Sequence, residues 1–229
     1  MFYDLHIHSG LSPCADDDMT PQNIVQMAKI KGLDLISICD HNSLRQQVVM
    51  AKVAKEHHLN YLYGLEIQTK EEVHVLAYFR NEEDLPKMQA WLTHHQMKVI
   101  NRSNFFGHQY LYDNKDEIID EETLALIFSI KASLEECIDE IHLNHGLVVL
   151  AHIYGRKNGI MTQLGFIPQN LPIDGIEVVH EEEIQRFIQE YPQYENLPCF
   201  VNSDAHSLSV IHEATLVLSR IAQKRFWGK

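Results

Sequence analysis

Residues 3–8 read Tyr-Asp-Leu-His-Ile-His, and Ser9 follows at once. Successive side chains of a β-strand face opposite ways, so Asp4, His6 and His8 are expected on one face and Tyr3, Leu5 and Ile7 on the other. Abundance alone could produce such a pattern: with 15 histidines in 229 residues, about one His-x-His arises by chance. The motif therefore has to be read together with the segments downstream.

Short apolar segments recur at residues 2–7, 33–39, 61–67, 73–79, 147–151, 175–179, 199–201 and 214–218, several of them apolar at nearly every position. Strands covered on both faces of a parallel sheet have this character. Helical patterns lie between them. Residues 20–32 offer Thr20 as N-cap, Pro21 at the first helical position and Gly32 as the stop. Residues 133–146 carry Ser133 with Glu136 as a capping box and exit at Gly146. The alternation predicts an α/β fold in a single domain, 1–229. Residues 82–132 break the rhythm, and with no Pro/Gly/Ser linker beside them they read as an insertion over one end of the domain.

A hydrophobic content of 45% with 22% charged residues is ordinary for a globular chain. No apolar run is long enough to span a bilayer, and the N-terminus lacks the pattern of a signal peptide. Cys14, Cys39, Cys137 and Cys199 are scattered, which suggests neither a disulfide framework nor a zinc ribbon and fits a cytoplasmic setting. A net charge of −13 argues against a broad electrostatic grip on a nucleic acid polymer.

The ends of the expected strands carry the chemistry, where α/β barrels place it. The first ends in His6 and His8, the second runs into Asp40 and His41, and the third into Glu66. The next carries His74, and later ones end in His152, His180, and Asp204 with His206. Imidazoles and carboxylates gathered at one rim suit borderline divalent metals.

These motifs, "DLHIHS", "DHNS", "GLEIQT" with "EVHVLAY", "LAHI" and "SDAH", run in order from residue 4 to 207 and resemble the PHP family, named for polymerase and histidinol phosphatase proteins. The resemblance implies a distorted (β/α)7 TIM-like barrel holding two to three divalent ions (Zn, Mn or Fe) and used to cleave phosphate esters. Carried over, His6, His8 and Asp204 would hold the first ion, Glu66 would bridge to a second held by His74 and His152, and His41 and His206 would share a third with a residue of the first loop. That loop, "SGLSPCADDDMTP", is longer than the family's short form. Counting back from Pro21 favours Asp16, with Asp17 and Asp18 as competitors.

Ions bridged by Glu66 lower the pKa of a shared water towards neutrality, and that hydroxide would be the nucleophile. Arg156 is the preferred protein cation for the phosphate oxygens, with Lys157 or Arg45 as substitutes. His206, or His180 at the pocket wall, could protonate the leaving oxygen. Asp4 and Asp40 are expected to orient ligand imidazoles. His108, in the insertion, approaches the site if that segment folds over it. Cys14 is either oxidation-prone or simply packed.

The expected function is metal-dependent hydrolysis of a small phosphomonoester, such as a nucleotide or sugar phosphate. A nuclease acting through the same cluster is one alternative. A non-catalytic, metal-dependent regulatory domain is another, and an amidohydrolase a third that lacks the Asp-His and Glu of this pattern.

Overall fold

The computed structural model describes residues 1–228. Ten strands form three sheets. In the first, β1 (Tyr3–Ile7), β2 (Leu35–Ile38) and β3 (Asn60–Tyr61) run parallel in that order. The second is ordered β10-β9-β8-β5-β4, from β4 (Tyr63–Gln68), β5 (His74–Phe79), β8 (Leu147–Leu150), β9 (Gly175–Val178) and β10 (Cys199–Val201). A hairpin of β6 (Tyr110–Tyr112) and β7 (Ile118–Glu121) forms the third.

The α/β class is as expected, but the closed (β/α)7 barrel is not formed. Among the described residues the two sheets are linked in backbone pairing at isolated bridges, Ile7 to Ala205 beyond β10 and His41 to Glu66, and no continuous ladder closes the ring. Two local causes are visible. Only residues 69–73 connect β4 to β5, too few for a crossover helix, so the two strands must pair as an antiparallel hairpin, and β5 then runs antiparallel to β8 as well. The chain also changes sheets at Leu62, since Asn60 and Tyr61 pair with β2 while Tyr63 onwards pairs with β5. Residues 214–218, expected as a strand, make one bridge, Phe2 to Val217.

Three apolar layers result. Helices Pro21–Ile30 and Gln47–Glu56 bury Ile24, Val25, Ala28, Met50 and Val53 against the outer face of the first sheet. Helices Leu85–His95, Leu134–Leu143 and Glu183–Glu190 do the same for the second, through residues such as Met88, Leu92, Ile138, Ile141 and Phe187. Between the sheets lie Tyr3, Leu5, Leu35, Leu76, Tyr78, Val149, Phe200 and Phe226. Thr20 and the Ser133/Glu136 capping box start their helices as read from sequence.

The strict alternation expected of β1 also fails. Its register against β2 slips between Asp4 and Ile7, and Ile7 packs in the outer layer while Tyr3 and Leu5 pack between the sheets. The insertion lies against the loop after β1: Tyr110 N–H donates to Gly10 O, Tyr112 Oη–H to Asp17 O, and Asp116 accepts from Thr20 and from the Gln22 amide.

Candidate metal centre

Glu66, near the end of β4 and 1% exposed, is ringed by imidazoles. Its Oε1 lies 2.7 Å from His74 Nδ1, 3.2 Å from His152 Nε2 and 3.4 Å from His6 Nε2; its Oε2 lies 3.0 Å from His41 Nδ1 and 3.5 Å from His8 Nε2. Asp204 Oδ1 adds contacts at 3.3 Å to His8 and 3.5 Å to His6. His74 opens its strand rather than closing it, and reaches the common rim because β5 runs antiparallel to β4.

The backbone is bent to make this set. His152 and Asp204 have φ of 25° and 52°, a left-handed region that costs a side-chain-bearing residue about 1–3 kcal/mol. Such strain, at two residues facing one carboxylate cluster, marks a site held in place by its surroundings.

The orienting partners differ from those expected. Asp4 does not orient an imidazole; its carboxylate accepts from the backbone N–H groups of Ser203 (3.1 Å) and His212 (3.0 Å). His6 is turned instead by Glu177, whose two oxygens lie 3.1 Å from Nδ1 and which also accepts from His152 N–H (2.9 Å) and Asn202 Nδ2 (2.7 Å). Donation from Nδ1 to Glu177 leaves Nε2 as the nitrogen that faces Glu66. Sequence reasoning missed Glu177; the available signal was a lone carboxylate inside the apolar β9. Asp40 acts on His8 through Ser12, whose Oγ donates to Asp40 (2.7 Å) and accepts from His8 Nδ1 (2.9 Å).

The charges are mutually dependent. Burial would raise the Glu66 pKa, but His74, His6 and His41 hold it well below the ordinary carboxylate range. Burial would lower that of His6, but Glu177, Glu66 and Asp204 raise it well above its usual value. His8 goes the other way, through burial and the like charges of His206 and His41. Buried carboxylates thus draw positive charge to a point where ligand nitrogens converge. His41 Nδ1, though 3.0 Å from Glu66, is buried without a hydrogen-bond partner.

A divalent cation fits this donor set. Three trios, His6/His8/Glu66, His41/Glu66/His74 and His8/His41/His206, each have ligand atoms within 4.8 Å of one another.

The remaining expected residues divide. His206 stacks on His8 at 4.2 Å and donates Nδ1–H to Asp204 O (2.8 Å), leaving Nε2 as its ligand nitrogen. Asp16, Asp17 and Asp18 are exposed, and Asp16 joins the cluster through its backbone, donating N–H to His206 O (2.9 Å). Cys14, on the same loop, is exposed as well; partial burial would raise its thiol pKa, but the charges of His41 and His206 bring it down to about 6. Arg156, half-exposed, stands 3.9 Å from Asp204. With Lys157 and Asn158 it lines a cavity of about 230 Å³ over His41, Glu66, His74 and His152. A neighbouring cavity of about 270 Å³ shares His152, Arg156 and Asp204 and is walled by His180. Arg45 is engaged elsewhere, with Asp120 and Glu122 of the insertion. His108 pairs with Glu121 on the hairpin, away from the cluster.

The family profile described as PHP domain matches residues 4–195. Among curated relatives, the protein MJ1587 of Methanocaldococcus jannaschii is 37% identical over 92 residues (37% of this chain) and a 5'-3' exoribonuclease of Haemophilus influenzae 31% over 93 residues (39% of this chain). The aligned parts span 53% and 32% of those proteins, about half and a third of their lengths. Among solved structures, a provisionally assigned metal-dependent phosphoesterase from Bifidobacterium adolescentis superposes with a TM-score of 0.69 at 16% identity, covering 99% of this chain and 95% of that one. The lesion-specific endonuclease EndoQ of Pyrococcus furiosus superposes with a TM-score of 0.68 at 18% identity, covering 99% of this chain and 55% of that one. At these identities the two structures establish the shared fold.

Proposed function

The chain belongs to the PHP family of metal-dependent hydrolases, and we propose that it hydrolyses a small phosphomonoester, such as a nucleotide or sugar phosphate. The observation that carries this reading is the buried Glu66 carboxylate inside a ring of five imidazoles, opening on a cavity lined by Arg156 and Lys157. In this reading His6, His8 and Asp204 hold one cation, Glu66, His74 and His152 a second, and His41 and His206 take part in a third. Bound there, Zn, Mn or Fe ions supply a water of lowered pKa and neutralise phosphate charge.

The protein's own groups do the rest. Glu66 offers one oxygen to each side of the cluster and holds its halves in register. Arg156, at the mouth, faces the non-bridging phosphate oxygens and offsets the charge that develops on them. Glu177 and Ser12 keep the His6 and His8 nitrogens pointed inward. In this reading His206, as the imidazolium with Nδ1–H held on Asp204 O, is the group that passes its Nε2 proton to the leaving oxygen when no cation occupies that nitrogen.

A second reading, a phosphodiesterase or nuclease, is favoured by the two cavities meeting at His152, Arg156 and Asp204, because a diester can place one arm in each. Phosphate release from a panel of monoesters and diesters after Mn²⁺ reconstitution separates the two, with Glu66→Ala as control. Release from monoesters that vanishes in the variant is the expected result. Cleavage of diesters alone selects the nuclease reading. No release above the variant from metal-loaded protein refutes both.

A further inference from the structure

The insertion leaves a run of large apolar side chains in solvent. Met97, Val99, Ile100, Phe105 and Phe128 are 36–78% exposed and line two adjoining cavities of about 650 and 370 Å³ that share Val99 and Phe128. Contiguous apolar surface of this kind marks a place where something binds. Its rings form a connected group: Phe106 meets Phe128 edge to face with centroids 5.3 Å apart, and Phe105 meets Phe106 in the same way at 4.7 Å.

The groove is fastened to the metal centre at three points. Asn42, the residue after His41, donates Nδ2–H to Leu126 O (2.9 Å) and Phe128 O (3.0 Å), and its Oδ1 accepts from the N–H of Gln68 (3.0 Å), two residues beyond Glu66. Glu72, on the groove wall, accepts at its backbone O from Asn158 Nδ2 (2.8 Å), and Asn158 lines the cavity over Glu66 and His74. Gly107, which leaves no room for a Cβ against Pro13 O, ties the Phe105–Phe106 turn to the loop after β1. The aromatic group is therefore held in a fixed position beside the metal cavity.

Charge is distributed unevenly along it. Lys70 and Lys131 line the part next to Glu72 and Arg102 the part next to Phe105, and none of the three is held in an ion pair among the described residues. Beyond Ile100 the surface continues into a smaller cavity lined by Glu121 and Glu122. Aromatic faces flanked by cations suit a base joined to a phosphate. The carboxylates past Ile100 repel any further phosphate, as does the net charge of −13, so the groove suits one nucleotide rather than a strand.

We propose that this groove is a base-binding subsite: with the phosphate at the metal centre, the base of a nucleoside monophosphate lies on Phe128, beside Phe105 and Phe106. The inference rests on the phosphomonoester reading above and deepens it, by selecting nucleotides over sugar phosphates.

AMP and ribose 5-phosphate present the same scissile ester and differ by the base. With Mn²⁺-loaded protein, kcat/KM for AMP should exceed that for ribose 5-phosphate by about 5- to 150-fold, the worth of one base on an aromatic side chain. Phe128→Ala should bring that ratio down towards one, and Phe105→Ala, at a ring 78% exposed, should lower it without disturbing the packing. Phe166→Ala, at an exposed ring outside the groove, should leave it unchanged. Photolabelling with 8-azido-AMP, mapped by mass spectrometry, needs no turnover and should place the adduct within residues 97–106 or 126–131. Equal kcat/KM for the two esters, or a preference for AMP that survives both groove variants, overturns the base subsite and leaves the phosphoesterase reading standing. A short single-stranded oligonucleotide cleaved with higher kcat/KM than AMP, and losing that advantage in Phe128→Ala, gives the groove to a polymer and overturns the mononucleotide assignment. No release from either ester refutes the phosphoesterase reading, and the label then decides the groove: an adduct in those segments upholds it as a nucleotide site, and none there overturns it as well.

Discussion

Glu177→Gln isolates a buried carboxylate that turns a ligand imidazole. Glu177 is 2% exposed, and each oxygen is fully used: Oε1 by His6 Nδ1 and Asn202 Nδ2, Oε2 by His6 Nδ1 and His152 N–H. A glutamine keeps the shape but turns one oxygen into an N–H₂ group, which must then face Asn202 Nδ2–H₂ or His152 N–H, donor against donor. One hydrogen bond to a charged group is lost, worth about 1.5–3 kcal/mol. The His6 imidazole also loses the anion that fixes its orientation, and partners of this kind contribute about 10–100-fold to metal affinity. Chelator competition on the variant should show weakening in that range, and thermal unfolding of the metal-free protein should fall by several degrees. Because Glu177 acts on the ligand His6, activity on a monoester should recover at saturating metal. Metal affinity within about threefold of wild type, with stability unchanged, would refute the assignment of Glu177 as the group that orients His6.

Arg156→Ala should lower kcat on a phosphomonoester about 100-fold, the scale for removing one donor to developing anionic charge. Metal content should not change, because the guanidinium is half-exposed and 3.9 Å from Asp204; loss of bound metal would mean that its role is structural. Gly107→Ala should destabilise the protein, by more than the left-handed backbone alone explains (about 1–2 kcal/mol), since φ is +101° and the new Cβ would press on Pro13 O. Gly165→Ala, with φ +79° and no neighbour within 4 Å, supplies the backbone-only comparison in the same unfolding assay. In metal-free protein, alkylation of Cys14 by iodoacetamide should rise through a midpoint near pH 6, since the thiol is protonated and slow below its pKa and ionised above it. A midpoint at the ordinary cysteine value of about 8.5 would show that His41 and His206 do not act on it.

The residue types of the cluster were legible before any coordinates. Apolar runs place strands, and a histidine or carboxylate at the end of each run stands out because a rim residue need not pack the core: His6, His8, His41, Glu66, His152, Asp204 and His206 were all found that way. The helix caps at Thr20 and Ser133 are equally local and were equally readable. What depends on pairing was not. The hairpin of β4 and β5, which turns His74 to the common rim and prevents a uniform ring of parallel strands, follows from a connection too short for a helix. The slip in β1 sends Ile7 to a different layer from Leu5, and no pattern of alternating residues contains it. Glu177 was hidden because an isolated carboxylate in an apolar strand has many uses until its partner, 171 residues away, is in view. The first loop shows the division most clearly. Its sequence offers a thiol and three carboxylates within five positions, chemically plausible donors all. In the fold all four side chains are exposed, and the path of the loop is set by Gly107, Tyr112 and His206 holding its backbone, because a ligand's chemistry belongs to its side chain while its position belongs to whatever packs against the chain around it.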